Sequence, residues 1–367
     1  MGGAVSLSIA DTLHQVVAVD FSIRAGHCHL ACAYCPQASI TKAYGKLSDE
    51  VNMSVESFVR MLAKVPPQAR IIFAGFADIW LNPNCMDMIQ LASATGLEVE
   101  IYHTLKYMGM RDLERLRSIK LRRHLVHLPC DNGLMNVDVD DEYIRKLHIL
   151  QDHFDASFIR IGNRPLHPLV SRHLSKPCNA ELPNNRAGEL PKYGVYKPLH
   201  GPIGCGCRPG RPPLLVLPNG DTSFCSVDWS LKHIIGNLLH QEFDEVAYGE
   251  KYQEIVAKQR SDDGEVMCRS CQRAVLLRTE DLPAGGDVET VAGKFWKLSY
   301  DDPCNEDFRS KNPQPHRLAT GGQFVYRVLP KLEILTPPDP ASLSEVRGTP
   351  GKMLRPGYSS RTEYTPE

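Results

Sequence analysis

The stretch RAGHCHLACAYCPQ (24–37) sets three cysteines, Cys28, Cys32 and Cys35, within eight positions, separated by gaps of three and two residues. A closed structural metal site wants four protein ligands, whereas three leave a position open for water or a small molecule. Three readings fit this pattern. One is a zinc site completed by His27 or His29, although neighbouring histidines on so short a loop struggle to close round one ion. A second is a chance cluster in a cysteine-rich chain. The third is an iron–sulfur cluster with one iron left uncovered, since thiolates are the usual cluster ligands.

Outward from this loop, residues 15–163 alternate β-branched or apolar runs with amphipathic segments, the pattern of βα units on a parallel sheet. The runs predict strands at 15–23, 70–78, 97–104, 122–130 and 156–163, with helices near 54–65, 83–95, 110–119, 140–153 and 166–175. A sixth strand is expected within 176–203, where Pro, Gly and Asn obscure its position. The cysteine loop follows the first strand, at the C-terminal face where barrels of this kind carry their working residues.

The chain has 367 residues, a net charge of −1 and 42% hydrophobic residues, enough for a sizeable core. Nothing in this balance asks for nucleic acid or membrane as a partner. The basic run RLRSIKLRRH (115–124) reads as a solvated face. Twelve cysteines without a signal peptide argue for reduced thiols in a cytoplasmic protein, present for metal or chemistry and not for disulfides.

Cys-x3-Cys-x2-Cys with the aromatic Tyr34 before its last cysteine resembles the signature of the radical S-adenosylmethionine (SAM) enzymes. The resemblance implies a [4Fe-4S] cluster on Cys28, Cys32 and Cys35, whose remaining iron is chelated by SAM. It also implies a 5′-deoxyadenosyl radical that takes hydrogen from a substrate, and an electron donor such as flavodoxin or ferredoxin. The fold class that follows is α/β: a partial (β/α)6 TIM-like barrel over 15–203, after a lead-in at 1–14.

Downstream, LLVLPNGDTSFCSVDW (214–229) reads as a β-hairpin whose Asn219-Gly220 supplies positive φ angles, a helix follows near 241–260, and CRSC spans 268–271. Taken alone, Cys207, Cys225, Cys268 and Cys271 suit a structural zinc. Beside the first motif they resemble the twitch domain, a short SPASM domain that carries one auxiliary [4Fe-4S] cluster, here at 204–275. Cys205 is an alternative to Cys207 as ligand. Residues 276–367 are Pro/Gly-rich and read as a partly disordered extension, with strand character at 322–335.

AGFAD (74–78) stands where the family has Gly-Gly-Glu-Pro against SAM's amino group, which the resemblance carries to Gly75 and Asp78 although the match is partial. Thr104, with His103, and Arg160 fall at further strand ends where the family contacts SAM. Layouts of this kind resemble 2-deoxy-scyllo-inosamine dehydrogenase and twitch-type sugar epimerases, so the expected substrate is a small carbohydrate or cyclitol. The leading expectation is epimerisation of a carbinol carbon with Cys130 as hydrogen donor and Cys178 as second candidate. Oxidation to a ketone and peptide maturation are the alternatives. His127, Asp131 and Asn132, at the same strand end, are the candidates for the base or the hydroxyl anchors, Asp131 and Asn132 from a turn where they could hydrogen-bond sugar hydroxyls. His127 and Cys130 are three apart, so on a regular strand only one faces the cavity.

Overall fold

In the computed structural model the described residues are 18–131, 133–162, 164–181, 183–191, 199–205, 212–262 and 264–276. They all belong to one compact unit, Met1–Asn312, and the second unit, Pro313–Glu367, lies outside them. The lead-in, Asn132, Cys207, Cys304 and the strand expected at 322–335 also lie outside the described residues.

Strand β1 (Ala18–Phe21) is followed by helix α1 (Gln37–Tyr44) and α2 (Val55–Leu62). Four βα units come next: β2 (Arg70–Phe73) with α3 (Cys85–Ala94), β3 (Glu98–His103) with α4 (Met110–Leu116), β4 (Arg123–His127) with α5 (Asp141–His153), and β5 (Ala156–Ile161) with α6 (Pro168–His173). The sixth strand, β6 (Cys178–Glu181), falls inside the region where it was hidden by Pro and Asn. Strands β1 to β6 are parallel and adjacent in order.

The observed strands stop earlier than their apolar runs. β2 ends at Phe73 because Gly75 turns the chain with φ +71°, a region open to glycine. A Cβ there would lie 2.6 Å from Ser22 Cα. β4 ends at His127, two residues before Pro129, which has no N–H to give a ladder. Helix α1 lies in a stretch whose helical period is weak, and the sequence reading did not include it.

Each helix lays an apolar stripe on the sheet. In α2, Phe58, Met61 and Leu62 are buried, and Ser54 caps the start by accepting the Ser57 N–H at 3.0 Å. Phe58 packs between Phe21 and Phe73, at ring distances of 5.0 and 5.7 Å, in the layer between helices and sheet. The opposite face of the sheet carries a separate buried cluster with Leu125, Ile159 and Ile161, the barrel interior.

After β7 (Ile203–Cys205), the hairpin forms as β8 (Leu214–Val216) and β9 (Asp221–Ser223), followed by β10 (Ile234–Asn237). Only Gly220 of the Asn-Gly turn has positive φ, at +82°, so one residue and not two supplies the reversal. β8 pairs parallel to β1, with Val19 opposite Leu214. The hairpin therefore continues the barrel sheet, giving the nine-stranded order β10-β9-β8-β1-β2-β3-β4-β5-β6 among the described residues. The helix expected near 241–260 is two, α7 (Phe243–Tyr248) and α8 (Glu250–Arg260), and β11 (Ala274–Leu276) pairs with β7.

The arginines of the basic run have local partners: Arg115 bonds Asp87, Arg117 pairs with Glu114, and Arg122 bonds Glu98 and Glu100. Among the described residues no helix is long and apolar enough to cross a membrane.

Candidate functional site

The chain leaves β1 at the C-terminal edge of the parallel sheet and folds the three cysteines back over the barrel interior. Cys28 and Cys32 are buried with Leu30, Tyr34, Leu125, Met135, Ile159 and Ile161, and Cys35 packs at the edge of this cluster. Ala31, between the first two cysteines, adopts φ +44°. The loop is pinned by bonds from Cys35 N to Cys32 O at 2.9 Å, Ala33 N to Leu134 O at 2.8 Å and Asn136 N to Leu30 O at 2.7 Å.

The three sulfurs interact with one another. A hydrogen bond between Cys32 and Cys35 raises the Cys32 thiol and lowers Cys35, and Arg186 also favours the Cys35 thiolate. Burial raises Cys28, while the N–H groups of Asp78 and Leu30 point at its sulfur and oppose the rise. Backbone donors aimed at sulfur inside an apolar shell are the surroundings that iron–sulfur ligands use. Among the described residues no three His, Cys, Asp or Glu side chains converge as on a single ion. Cluster ligands need no such convergence, because each binds a different iron.

Tyr34 is buried, its hydroxyl hydrogen-bonded to Cys32 and within the electrostatic reach of Cys130. Asp78 and Thr104 meet: Asp78 Oδ2 accepts from Thr104 N at 3.0 Å and Thr104 Oγ1 at 2.6 Å, and Oδ1 accepts from Trp80 N at 3.1 Å. Burial raises the Asp78 carboxyl. Gly75 stands beside them at the sharp turn after β2. These residues border the cysteine loop, with most of the Asp78 carboxylate already engaged inside the fold.

Arg160 is placed differently. Its neighbours Ile159 and Ile161 face the barrel interior, so strand alternation turns Arg160 to the other side. There its Nη1 donates to Cys178 O at 3.1 Å and it bonds the Cys178 thiol. Cys130 lies beyond the end of β4, held by a bridge to Leu166, with Sγ 3.9 Å from Ile161 O. Burial raises its thiol pKa, with Arg160 opposing, so the sulfur keeps its proton at neutral pH. Cys130 and Cys178 are both free cysteines, Cys130 near the end of β5 at Ile161 and Cys178 on β6 opposite Phe158. Each is a single thiol.

His127 takes the interior face of β4 with Leu125. Burial first, then Arg186 and Arg123, push its pKa down to about 4, so the imidazole is neutral at physiological pH. Asp131 is exposed, its N–H bonded to Pro165 O at 3.1 Å.

The second sulfur set gathers where the hairpin meets the last turn. Cys225 and Cys268 are buried in the main core, and Cys271 follows one 3-10 turn later, its N–H on Cys268 O at 3.0 Å. Gln259 Nε2 donates to Cys268 Sγ at 3.0 Å. Cys205 on β7 stands opposite Ala274, three residues past Cys271. That places Cys205 beside the Cys-x2-Cys turn, which the sequence alone did not reveal.

Sequence reasoning also missed Arg186 and Trp229. Arg186 Nε donates to Tyr34 O at 3.4 Å and its guanidinium lies 5.7 Å from the Trp229 ring centre, while Trp229 packs on Phe76 at 4.7 Å. Only the Val-Asp-Trp sequence after Cys225 hinted at an aromatic near the hairpin.

The SPASM family, an iron-sulfur cluster-binding domain, matches residues 207–272. Among solved structures the chain is similar to Streptococcus suis SuiB bound to precursor peptide SuiA, at 12% identity over 70% of this chain and 69% of that one, with a TM-score of 0.50. It is also similar to BtrN in complex with AdoMet and 2-DOIA, at 14% identity over 68% and 88% of the two chains and a TM-score of 0.46. A third is native anSMEcpe with bound AdoMet and Cp18Cys peptide, at 12% identity over 81% and 99%, with a TM-score of 0.47. No curated protein matches the sequence. The likeness to SuiB shows the fold, a partial TIM-like barrel, and the residues that match the SPASM model follow that barrel in the chain.

Proposed function

We propose that this chain, with a radical SAM barrel and a SPASM region, epimerises a carbinol carbon of a small carbohydrate or cyclitol. The observation that supports it most is the burial of Cys28, Cys32 and Cys35 together at the mouth of the parallel sheet, with backbone N–H groups aimed at Cys28. These thiols would hold a [4Fe-4S] cluster that binds SAM, and Cys225, Cys268 and Cys271 with Cys207 or Cys205 would hold the auxiliary one. When bound, cluster and SAM supply a 5′-deoxyadenosyl radical that takes a hydrogen atom from the carbinol carbon.

The chain's own residues then direct the outcome. Gly75, Asp78 and Thr104 border the SAM side of the loop, Gly75 by letting the backbone approach closely. Arg160 holds Cys178 and biases Cys130 instead of meeting SAM. Cys130, kept as a neutral thiol, gives its hydrogen atom to the opposite face of the substrate radical. The resulting thiyl regains one electron and one proton, the electron from a flavodoxin- or ferredoxin-type donor. Cys178, bonded to Arg160 on the face away from the barrel interior, is the second candidate thiol, and Asp131 an exposed hydroxyl anchor.

His127 favours a second reading. A neutral imidazole on the barrel interior is a base able to take the hydroxyl proton, and the auxiliary cluster held by the second cysteine set would accept the radical's remaining electron, which would yield a ketone.

Turnover in deuterated water separates the two. Epimerisation places one solvent deuterium at the inverted carbon, because a thiol exchanges its hydrogen. Cys130→Ser abolishes inversion while SAM cleavage persists. Unchanged inversion in this variant removes Cys130 as donor, and a ketone without deuterium, lost in His127→Gln, establishes the dehydrogenase. Zinc with little iron in the anaerobically reconstituted protein overturns the radical reading altogether.

A further inference from the structure

The turn Arg186–Gly188 sets three successive residues at left-handed φ, +50°, +53° and +96°. Only the third is a glycine, so Arg186 and Ala187 hold a backbone conformation that a Cβ disfavours. Such strain persists where the surroundings fix the chain more firmly than its own preference does, and it gathers at functional places. Here the Cys-x2-Cys turn of the second sulfur set does the fixing.

Asn185, buried, is locked to that turn. Its Nδ2 donates to Ser270 O at 2.7 Å, its N–H donates to Gln272 Oε1 at 2.9 Å, and its Oδ1 accepts from Gln272 N at 3.4 Å. Gly188 lies so close that a Cβ on it would stand 2.9 Å from Ser270 Cβ. On its other side the same segment meets the first sulfur set. Glu189 accepts from Ser39 Oγ of α1 at 2.7 Å, and Arg186 Nε donates at 3.4 Å to Tyr34 O, the carbonyl of the peptide that joins Tyr34 to Cys35. Residues 185–189 thus span from one Cys-x2-Cys turn to the other.

The charge on this span is not neutralised by a neighbour. Arg186 makes no ion pair among the described residues, and beyond the Tyr34 contact its guanidinium has the Trp229 ring as partner, 5.7 Å from the ring centre. Its field reaches the first sulfur set, where it favours the thiolate of Cys35, and it opposes protonation of His127. A cluster gains one negative charge when it is reduced. Net charge and hydrogen bonds near the sulfurs set its potential, so a fixed cation beside a ligand sulfur makes reduction easier.

We propose that Arg186 is a positioning residue that couples the two sulfur sets: clamped by the Cys268–Cys271 turn, it holds its charge beside Cys35 and makes the SAM-binding site easier to reduce. This rests on the assignment of both cysteine sets to clusters in the reading above. It gives the second set a regulatory part besides its own redox chemistry. A chain without iron at Cys268 and Cys271 lets residues 185–189 relax, and the first site then accepts an electron less readily.

The test is a redox titration of the full chain, anaerobically reconstituted and reduced with dithionite. The first cluster is followed through the change that SAM makes in its electron paramagnetic resonance signal. Arg186→Gln lowers its reduced-to-oxidised ratio at a fixed potential about tenfold, a shift of about 59 mV for one electron. Arg186→Lys, which keeps the charge, restores most of that ratio. Asn185→Ala, which frees the turn and leaves Arg186 in the chain, shifts the midpoint the same way, as does Cys268→Ala. In the Arg186→Gln background neither adds a further shift. A midpoint that ignores Arg186→Gln overturns the proposal. So do Asn185→Ala and Cys268→Ala if they leave it unchanged, or shift it equally without Arg186. Iron content keeps this inference apart from the reading it rests on. A first cluster that forms and responds to SAM but ignores Arg186 refutes the coupling alone. An unaltered chain that binds no iron at Cys28, Cys32 and Cys35 refutes the radical reading, and the coupling with it.

Discussion

Asp20 lies on the interior face of β1, buried, with one carboxylate oxygen unpaired among the described residues. Burial pushes its pKa up to about 7, against the pull of the Ala74 and Gly75 amides, and Glu100 adds to the rise. The unfolded chain gives up this proton near pH 4, the folded one near 7, so the folded state loses stability as pH rises through that window. Above it the penalty stands in full, on the order of 4 kcal/mol. Asp20→Asn keeps an oxygen for the two amides and removes the charge. Thermal melts should show a stabilisation in this variant that grows from about pH 4 to about pH 7 and is level above it; a gap that ignores pH would refute the assignment. At this scale the sequence was most legible where ligands are close in the chain. Cys28, Cys32 and Cys35 share one turn, so spacing alone identified them. Arg186 and Trp229 meet only through the fold, and nothing local marks the contact of Arg186 with Tyr34.

The hairpin strand β8 holds its place through Leu214, Leu215 and Val216, all essentially buried. Leu215 packs with Ile40 and Tyr44 of α1 and with Phe76 and Trp229, so one side chain ties the hairpin to the helix after the cysteine loop. Leu215→Ala is expected to cost about 2–5 kcal/mol, read from the denaturant midpoint, with α1 and the hairpin losing hydrogen-exchange protection first. The elements themselves were legible wherever a helical or alternating period was strong, as in α2 and α5. Their ends were not, because β2 stops at a glycine turn and β4 before a proline, features that an apolar run does not report. α1 was missed for the opposite reason: its QASITKAY sequence buries only Ile40 and Tyr44.

At the scale of the molecule, the two sulfur sets hang on one sheet. Metal ligation couples to folding where the ligands lie in the core, and Cys225 and Cys268 belong to it. Anaerobic removal of iron should therefore lower the melting temperature and expose residues 225–229 and 268–271 to exchange together with 28–35; Cys268→Ala should lose about half the iron and retain protection at 28–35. The order of strands β1 to β6 was legible from the βα alternation, since such units pair in sequence. The join between β8 and β1 was not, because a strand edge leaves no mark in composition.

That join has a consequence for how the protein is made. Val19 finds Leu214 only after the whole barrel sequence has been synthesised. During synthesis one edge of β1 stays bare, its N–H and C=O groups open to other strands, until the hairpin arrives. Contacts between such distant parts of a chain form slowly. The nascent barrel thus has a sticky interval that closes when Val216 clears the ribosome, and insertion of iron and sulfide into both loops is best timed to follow it.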